Sequence, residues 1–327
     1  MTSTRVLFIG GTGIISAAAS ALAIERGVEV TLLNRGSSRR APHPGAEVLT
    51  ADIADAEAVH AVLGSREFDV VADMVAFTPE QVQRDIDRFE GRTGQYVFIS
   101  SASAYQKPVS RLPITESTPL RNPFWQYSRD KIACEDLLVE AYRSRAFPAT
   151  IIRPSHTYDK WSLPFFGGWT VVDRMRRGAE VVVHGDGTSL WTLTHADDFA
   201  RGFVGLLGNP LALGDAFQIT SDFVYTWNEI FAIMGAAAGA TPRIRYVTSA
   251  AIEAAAPHTA GEHLGDRAHS VIFDNTKIRA LVPDFAPVIP FHTAAREMLD
   301  HHDAHPELQV TDPAFEALFD RLVASAS

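Results

Sequence analysis

Residues 127 to 131 read YSRDK, inside the longer stretch NPFWQYSRDKIACEDLLVEAYR. A tyrosine and a lysine four apart stand one above the other on the same face of a helix. Tyr127 and Lys131 are therefore either a phenol and ammonium acting together on a substrate or an aromatic ring beside a solvated charge. The pair alone does not choose between them. A second stretch, RVLFIGGTGIISAAAS, places Gly10, Gly11 and Gly13 between a β-rich run and an alanine-rich helix. Glycines there permit a tight turn and let backbone N–H groups approach a pyrophosphate at the positive end of the helix. A strand before the turn, a helix after it and a second strand ending at Leu33 make Gly10, Gly11, Thr12, Gly13, Ile14 and Ile15 a dinucleotide-binding turn rather than a bare bend. Ser16 stands where a third glycine is usual, so helix and strand must pack around a hydroxymethyl group.

After the second strand comes LNRGSSRR. An NAD site would place Asp or Glu near position 34 to bind ribose hydroxyls, whereas neutral Asn34 followed by Arg35 suits a 2′-phosphate, so the reading leans to NADP over NAD. In TADIAD, Asp52 and Ile53 follow the third strand. They either hold the adenine or cap the helix that follows.

These residues need a frame to position them. Short β-rich runs at 5–9, 28–33, 46–50, 68–74, 95–100 and 149–153 alternate with helix-length segments at 13–26, 55–63, 79–90 and 125–145. Strands apolar throughout, alternating with helices, call for a parallel sheet covered on both faces, a doubly wound α/β (Rossmann) domain. Past residue 158 the alternation loosens, and helices are expected at 290–303 and 312–325. Residues 1–158 and about 190–222 are assigned to the dinucleotide domain, and about 159–189 and 223–327 to a smaller, interleaved substrate lobe.

The chain has 327 residues, 46% hydrophobic and 21% charged, enough for a large core. Its formal charge of −10 repels a polyphosphate backbone or an anionic membrane surface, so neither nucleic acid nor membrane is an expected partner. Arg35, Arg39 and Arg40 form a basic cluster that suits one phosphate or a solvated loop. Cys134 is the single cysteine, so no intramolecular disulfide can form, and no signal-peptide pattern or run of roughly 20 apolar residues is present. A soluble cytoplasmic protein is expected.

With the GxxGxx turn, SSASAY after the fifth strand and YxxxK opening the next long helix, the chain resembles the extended short-chain dehydrogenase/reductase family, in its epimerase/dehydratase branch. IIRPSHTYD and GDGTSLWTLTHADDFARGF extend the likeness over about residues 5–235. The resemblance implies that Tyr127 exchanges a proton with a substrate hydroxyl or carbonyl while a hydride passes to or from a nicotinamide. A free phenol has a pKa of about 10, so positive charge from Lys131 and the oxidised ring must bring it down. Lys131 would also hold the nicotinamide ribose, and Pro154 would border the cofactor. Ser101, four residues before Tyr105, matches the hydroxyl that binds the reacting oxygen. Ser100 and Ser103 are the alternatives, read as a structural capping hydroxyl and a loop residue. Relatives pair long helices in a homodimer, which here would use 79–90 with 125–145.

Two departures narrow the expectation. The family's dehydratases carry an Asp-Glu pair after the catalytic hydroxyl, where this chain has Ala102 and Ser103, so dehydration is disfavoured. Trp191 stands where nucleotide-sugar enzymes commonly have an arginine that grips the diphosphate. Unless Arg174, Arg176, Arg177, Arg243 or Arg267 replaces it, Trp191 with Trp161, Phe165, Phe166 and Trp169 suggests a pocket that stacks on a neutral sugar, cyclitol or hydrophobic ketone; taken singly, each aromatic reads better as core of the smaller lobe. His156 falls where epimerases place a polar residue touching the sugar. His195, Asp197 and Asp198 end a strand and cap a helix. HHDAHP at 301–306 lacks a second ligand group, so no metal is expected. The expected activity is NAD(P)-dependent interconversion of a secondary alcohol and a ketone on a sugar-like or small polyol substrate, by epimerisation or net redox. The rival is a non-catalytic nucleotide-sensing or scaffold protein on the same fold.

Overall fold

A computed structural model describes residues 3–325. Each early apolar run becomes a strand: β1 Arg5–Ile9, β2 Glu29–Asn34, β3 Glu47–Thr50, β4 Phe68–Asp73, β5 Thr93–Ile99 and β6 Ala149–Pro154. Between them lie α1 Ile14–Glu25, α2 Ala56–Leu63, α3 Pro79–Phe89 and α4 Gln126–Arg145. A seventh strand, Asp215–Ile219, adds beside β6, and the sheet runs in the order Asp215–Ile219, β6, β5, β4, β1, β2, β3. Every ladder is parallel. The order reverses at β1, which opens the crevice of a Rossmann-like fold at the carboxyl ends of the strands.

Burial explains the strand composition. Val6, Phe8, Val70 and Val97 face one core, covered by α1 and the helix Ala196–Leu206; Leu7, Ile9, Val71 and Phe98 face the other, covered by α2, α3 and α4. In α1, Ala19 and Ala23 are fully buried, small side chains that suit close packing of two helices. Along α4 the buried positions are Ser128, Lys131, Cys134, Glu135, Leu138 and Ala141, spacings of three and four that define one inward face. Tyr127 sits in the first turn, at the carboxyl ends of the strands.

A third core belongs to the smaller lobe, built from parallel and antiparallel two-stranded pieces and the helices Trp169–Arg176, Trp227–Ala237, Phe291–Ala304 and Pro313–Ser325. No helix among the described residues is long and apolar enough to cross a membrane.

Candidate active site

The crevice contains a cavity of ≈ 320 Å³ whose walls come from the ends of β4, β5 and β6, the starts of α1 and α4, and the smaller lobe. Ile15, Met74, Phe77, Ser100, Ser101, Ser103, Tyr127, Lys131 and Pro154 line it from the sheet side. His156, Trp191, Asp266 and Arg267 line it from the other. A larger, more open hollow of ≈ 420 Å³ lies at the opposite strand ends, bordered by Arg5, Asp69, Arg92 and Asn209, and contains none of these groups.

Lys131 is buried, and its ammonium donates to the carbonyl oxygens of Ala76 and Ile99, both at 2.7 Å. Burial pulls its pKa down to about 8, with Asp73 opposing. The same Nζ lies 4.6 Å from the Phe77 ring centre and 5.7 Å from that of Tyr127. Tyr127 packs between Trp125, at 4.7 Å between ring centres, and Phe77, at 6.2 Å. Burial drives its phenol up to about 12, with the Ser101 hydroxyl as hydrogen-bond partner pulling downward. The phenol is thus a proton donor near neutral pH.

Ser101 caps the short turn Ala102–Ala104 by accepting from the Ser103 N–H at 3.1 Å. Ser128 donates to Ser103 at 2.8 Å, and the Ser103 and Ser101 hydroxyls are 2.9 Å apart. Read in that direction, the chain of hydroxyls leaves the Ser101 proton for the Tyr127 oxygen or for a substrate oxygen entering the cavity. Ser103, expected to be a loop residue, is therefore buried within the site and orients Ser101. Ser100 is structural: it donates to Glu135 at 2.5 Å, and Glu135 is ion-paired with Arg153.

The glycine turn fits a dinucleotide. Gly10 holds φ +84°, and a Cβ there would meet Val75 Cγ1 at 2.3 Å; at Gly11 it would meet Leu32 Cδ2 at 2.5 Å. Gly13 is exposed at the start of α1, and Thr12, Ile14 and Ile15 are half-buried around it. Ser16, in the unusual position, accepts from the Gly13 N–H at 2.8 Å. Asn34 is turned inward: its Oδ1 accepts from the Gly11 N–H at 2.8 Å, which makes it a brace for the turn. Arg35 is exposed beside it. Arg40 crosses the turn, donating to the Gly13 carbonyl at 3.1 Å and ion-pairing with Asp159. Asp52 is exposed and accepts from the Ala54 N–H, whereas Asp55 is the residue that caps α2. Ile53 packs on the adjoining core.

The expected aromatic pocket is not assembled. Phe165 and Trp169 are core of the smaller lobe, Trp169 stacking on His302 at 5.2 Å; Phe166 packs on His263, and Trp161 lies against His301 and under Arg40. Trp191 does line the cavity but is only 2% exposed and leans on Trp227, so it offers no open stacking face. Phe77, Trp125 and Phe273 also line the cavity, and none of them was marked out by spacing in the sequence. His156 meets Trp191 edge-on at 6.2 Å, and burial pushes its imidazole down to about 3, so it is neutral. His195 ends its strand and accepts from the Asp197 N–H, as expected; Asp198 accepts from the N–H groups of Val288 and Ile289.

Of the arginines considered as replacement anchors, Arg267 alone lines the cavity. Arg174 is committed to Glu316 and Asp320, Arg176 to Asp303, Arg177 to Asp173 and Glu316, and Arg243 to the Gly178 carbonyl. Among the described residues Asp266 is the one carboxyl on the walls, raised by burial. A readable signal for this segment was GEHLGDR: at Gly261 (φ +96°) a Cβ would lie 2.6 Å from Trp125 Cα, and Asn122 donates to the Gly265 carbonyl at 2.7 Å.

The model of the NAD dependent epimerase/dehydratase family matches residues 6–219. Among curated proteins, a chloroplast stem-loop binding protein of 41 kDa from Arabidopsis thaliana is 28% identical over 237 residues, 68% of this chain and 60% of that protein. A UDP-glucose 4-epimerase from Lactobacillus helveticus is 30% identical over 168 residues, 46% of this chain and 50% of its own length. The chain thus matches half to three-fifths of these relatives' length. Among solved structures, an epimerase from Methanothermobacter thermautotrophicus has a TM-score of 0.78 at 17% identity, covering 94% of each chain. A UDP-glucose 4-epimerase from Thermotoga maritima has a TM-score of 0.74 at 18% identity, covering 92% of this chain and 99% of that one. At such identities the structural likeness speaks to the fold alone.

Proposed function

The chain belongs to the NAD dependent epimerase/dehydratase family, and from that premise we propose that it interconverts a secondary alcohol and a ketone on a sugar-like substrate, with Ser101, Tyr127 and Lys131 as the catalytic residues. The observation that carries this reading is that all three line one cavity beside the glycine turn. Gly10, Gly11, Thr12, Gly13, Ile15 and Pro154 would hold the cofactor, which when bound supplies the hydride acceptor or donor. Ser101 donates to the substrate oxygen and fixes its distance from Tyr127. Tyr127 gives that oxygen a proton when a ketone is reduced and takes it when an alcohol is oxidised. Lys131, pinned by two carbonyls, keeps a positive charge near the phenol and so favours phenolate as it forms.

Arg267 supports a substrate with an anionic group, in place of the neutral one suggested by Trp191. One Arg267 Nη is ion-paired with Glu262 at 2.7 Å, but its Nε lacks a hydrogen-bond partner among the described residues, and a buried donor of this kind favours an acceptor-rich ligand. Family membership favours NAD. The alternative, NADP, rests on exposed Arg35, because Asn34 is occupied with Gly11. With Ala102 and Ser103 where an acid pair would stand, epimerisation or net redox is preferred to dehydration.

Replacing Tyr127 with Phe tests the assignment. Turnover should fall by at least about 10²-fold while the NAD dissociation constant stays within about twofold, since the phenol contributes proton transfer rather than cofactor contact. An unaffected rate refutes it. Reduced-nicotinamide absorbance during turnover separates epimerisation, which recycles the cofactor, from net reduction, which consumes it. The similarity to a stem-loop binding protein motivates a second reading, non-catalytic RNA binding. The charge of −10 and the complete Ser, Tyr and Lys set weigh against it. Inactivity across a broad panel of alcohols and ketones, together with tight RNA binding, would favour it.

A further inference from the structure

Lys131 is held by two carbonyls of different origin. Ile99 ends β5, and its carbonyl is fixed by the sheet. Ala76 lies in the turn after β4, and something must fix that turn. Asp73, the last residue of β4 and 1% exposed, does so: its Oδ1 accepts from the N–H groups of Val75 at 2.7 Å and Ala76 at 2.9 Å. Its Oδ2 accepts from the Tyr96 hydroxyl at 3.2 Å. Three donors converging on one carboxyl is the arrangement of a carboxylate. The same turn carries Phe77, whose ring touches both Tyr127 and the Lys131 ammonium.

Behind Asp73 lies a second acid. Asp85 on α3 is 0% exposed and also sits 3.2 Å from the Tyr96 hydroxyl, which has one proton to give to two carboxyls. Its Oδ1 has no hydrogen-bond partner among the described residues; Arg84 and Arg88 stay at 3.9 and 3.7 Å. Burial and Asp73 together push the Asp85 carboxyl well up, so it keeps its own proton.

We propose that Asp73 is the positioning residue of Lys131: its carboxylate shapes the turn that presents the Ala76 carbonyl and supplies negative charge behind the ammonium, with Asp85 a neutral filler. This rests on the Tyr127 and Lys131 reading above. The other titratable groups around Lys131 are on its own helix. Cys134 is a neutral thiol pushed up to about 12, and Glu135 is taken by Arg153 from β6 and by Ser100.

The test is the pH profile of kcat in wild type, Asp73→Asn and Asp85→Asn, alongside NAD affinity and thermal midpoint. Asparagine keeps the acceptor for Val75 and Ala76 and removes the charge. For Asp73→Asn the alkaline limb assigned to Lys131 should move down by about one pH unit, the lower end of what a neighbouring opposite charge does, so kcat should fall about twofold near pH 7 and approach a tenfold loss above the wild-type limb. Asp85→Asn should leave the limb in place. If Asp73→Asn fails to fold, Asp73→Ser, which keeps a short acceptor without charge, carries the same expectation. An unmoved limb in the Asp73 variant, or an equal shift in Asp85→Asn, overturns the proposal. An active Tyr127→Phe enzyme would sink the reading of the site itself, whereas an inactive one with an unshifted Asp73→Asn profile sinks this inference alone.

Discussion

At the scale of residues, the site sets two pKa values in opposite senses by one cause. Burial raises the Tyr127 phenol to about 12 and lowers the Lys131 ammonium to about 8. The sign of the resulting pH dependence follows from Lys131: below pH 8 it is an ammonium and favours phenolate, and as pH rises through that value the charge is lost. Activity should therefore decline above about pH 8. Lys131→Arg keeps a charge at every accessible pH, so a folded variant should lose that alkaline limb even if its rate is lower throughout. Persistence of the limb would assign it to another group. Ser101→Ala should lower kcat by about 10²-fold, in line with loss of one oriented donor to a developing oxyanion, and Ser103→Ala should cost less, because it acts through Ser101.

At the scale of elements, the critical contact joins the start of α4 to the segment 261–267 of the smaller lobe. Gly261 sits at φ +96°, and an added Cβ would lie 2.6 Å from the backbone of Trp125, which cannot yield as a flexible side chain would. Gly261→Ala should destabilise the chain by about 1–3 kcal/mol, the usual cost of a strained backbone position. Its effect on turnover should exceed that of an exposed glycine such as Gly239, because Trp125 buttresses Tyr127. Equal effects in thermal melts and rate assays would remove this contact from the account.

At the scale of the whole molecule, the last helix, Pro313–Ser325, closes the smaller lobe through Leu318, Phe319 and Leu322 and through Arg174, which is 4% exposed and bound to Glu316 and Asp320. Those carboxylates keep water access, so removing the arginine leaves no isolated buried charge. Arg174→Met should cost about 1–2 kcal/mol, the range of hydrogen bonds to charged groups, and shift the melting midpoint by a few degrees while leaving the NAD affinity of the other lobe unchanged. Native mass spectrometry should find one retained dinucleotide per chain and give its phosphate count, which decides NAD against NADP, together with the subunit number that bears on pairing of α3 and α4 between copies.

The sequence by itself determined the α/β frame and singled out Ser101, Tyr127 and Lys131 as the candidate reacting groups. Six of the seven strands of the sheet were legible as apolar runs, because a strand covered on both faces must be apolar throughout, and the glycine turn and YxxxK spacing are local geometry written in local sequence. The strand Asp215–Ile219 was not singled out, since its pairing with β6 is a long-range contact. Only the tertiary structure decided which side chains face the cavity. Phe165 and Trp169, grouped in sequence with a possible stacking pocket, went into core; Asn34 turned to the glycine turn; Arg267 and Asp266, from a stretch with no periodic pattern, came to the wall. A side chain's direction depends on what packs against it from elsewhere in the chain, and that information is absent from spacing alone.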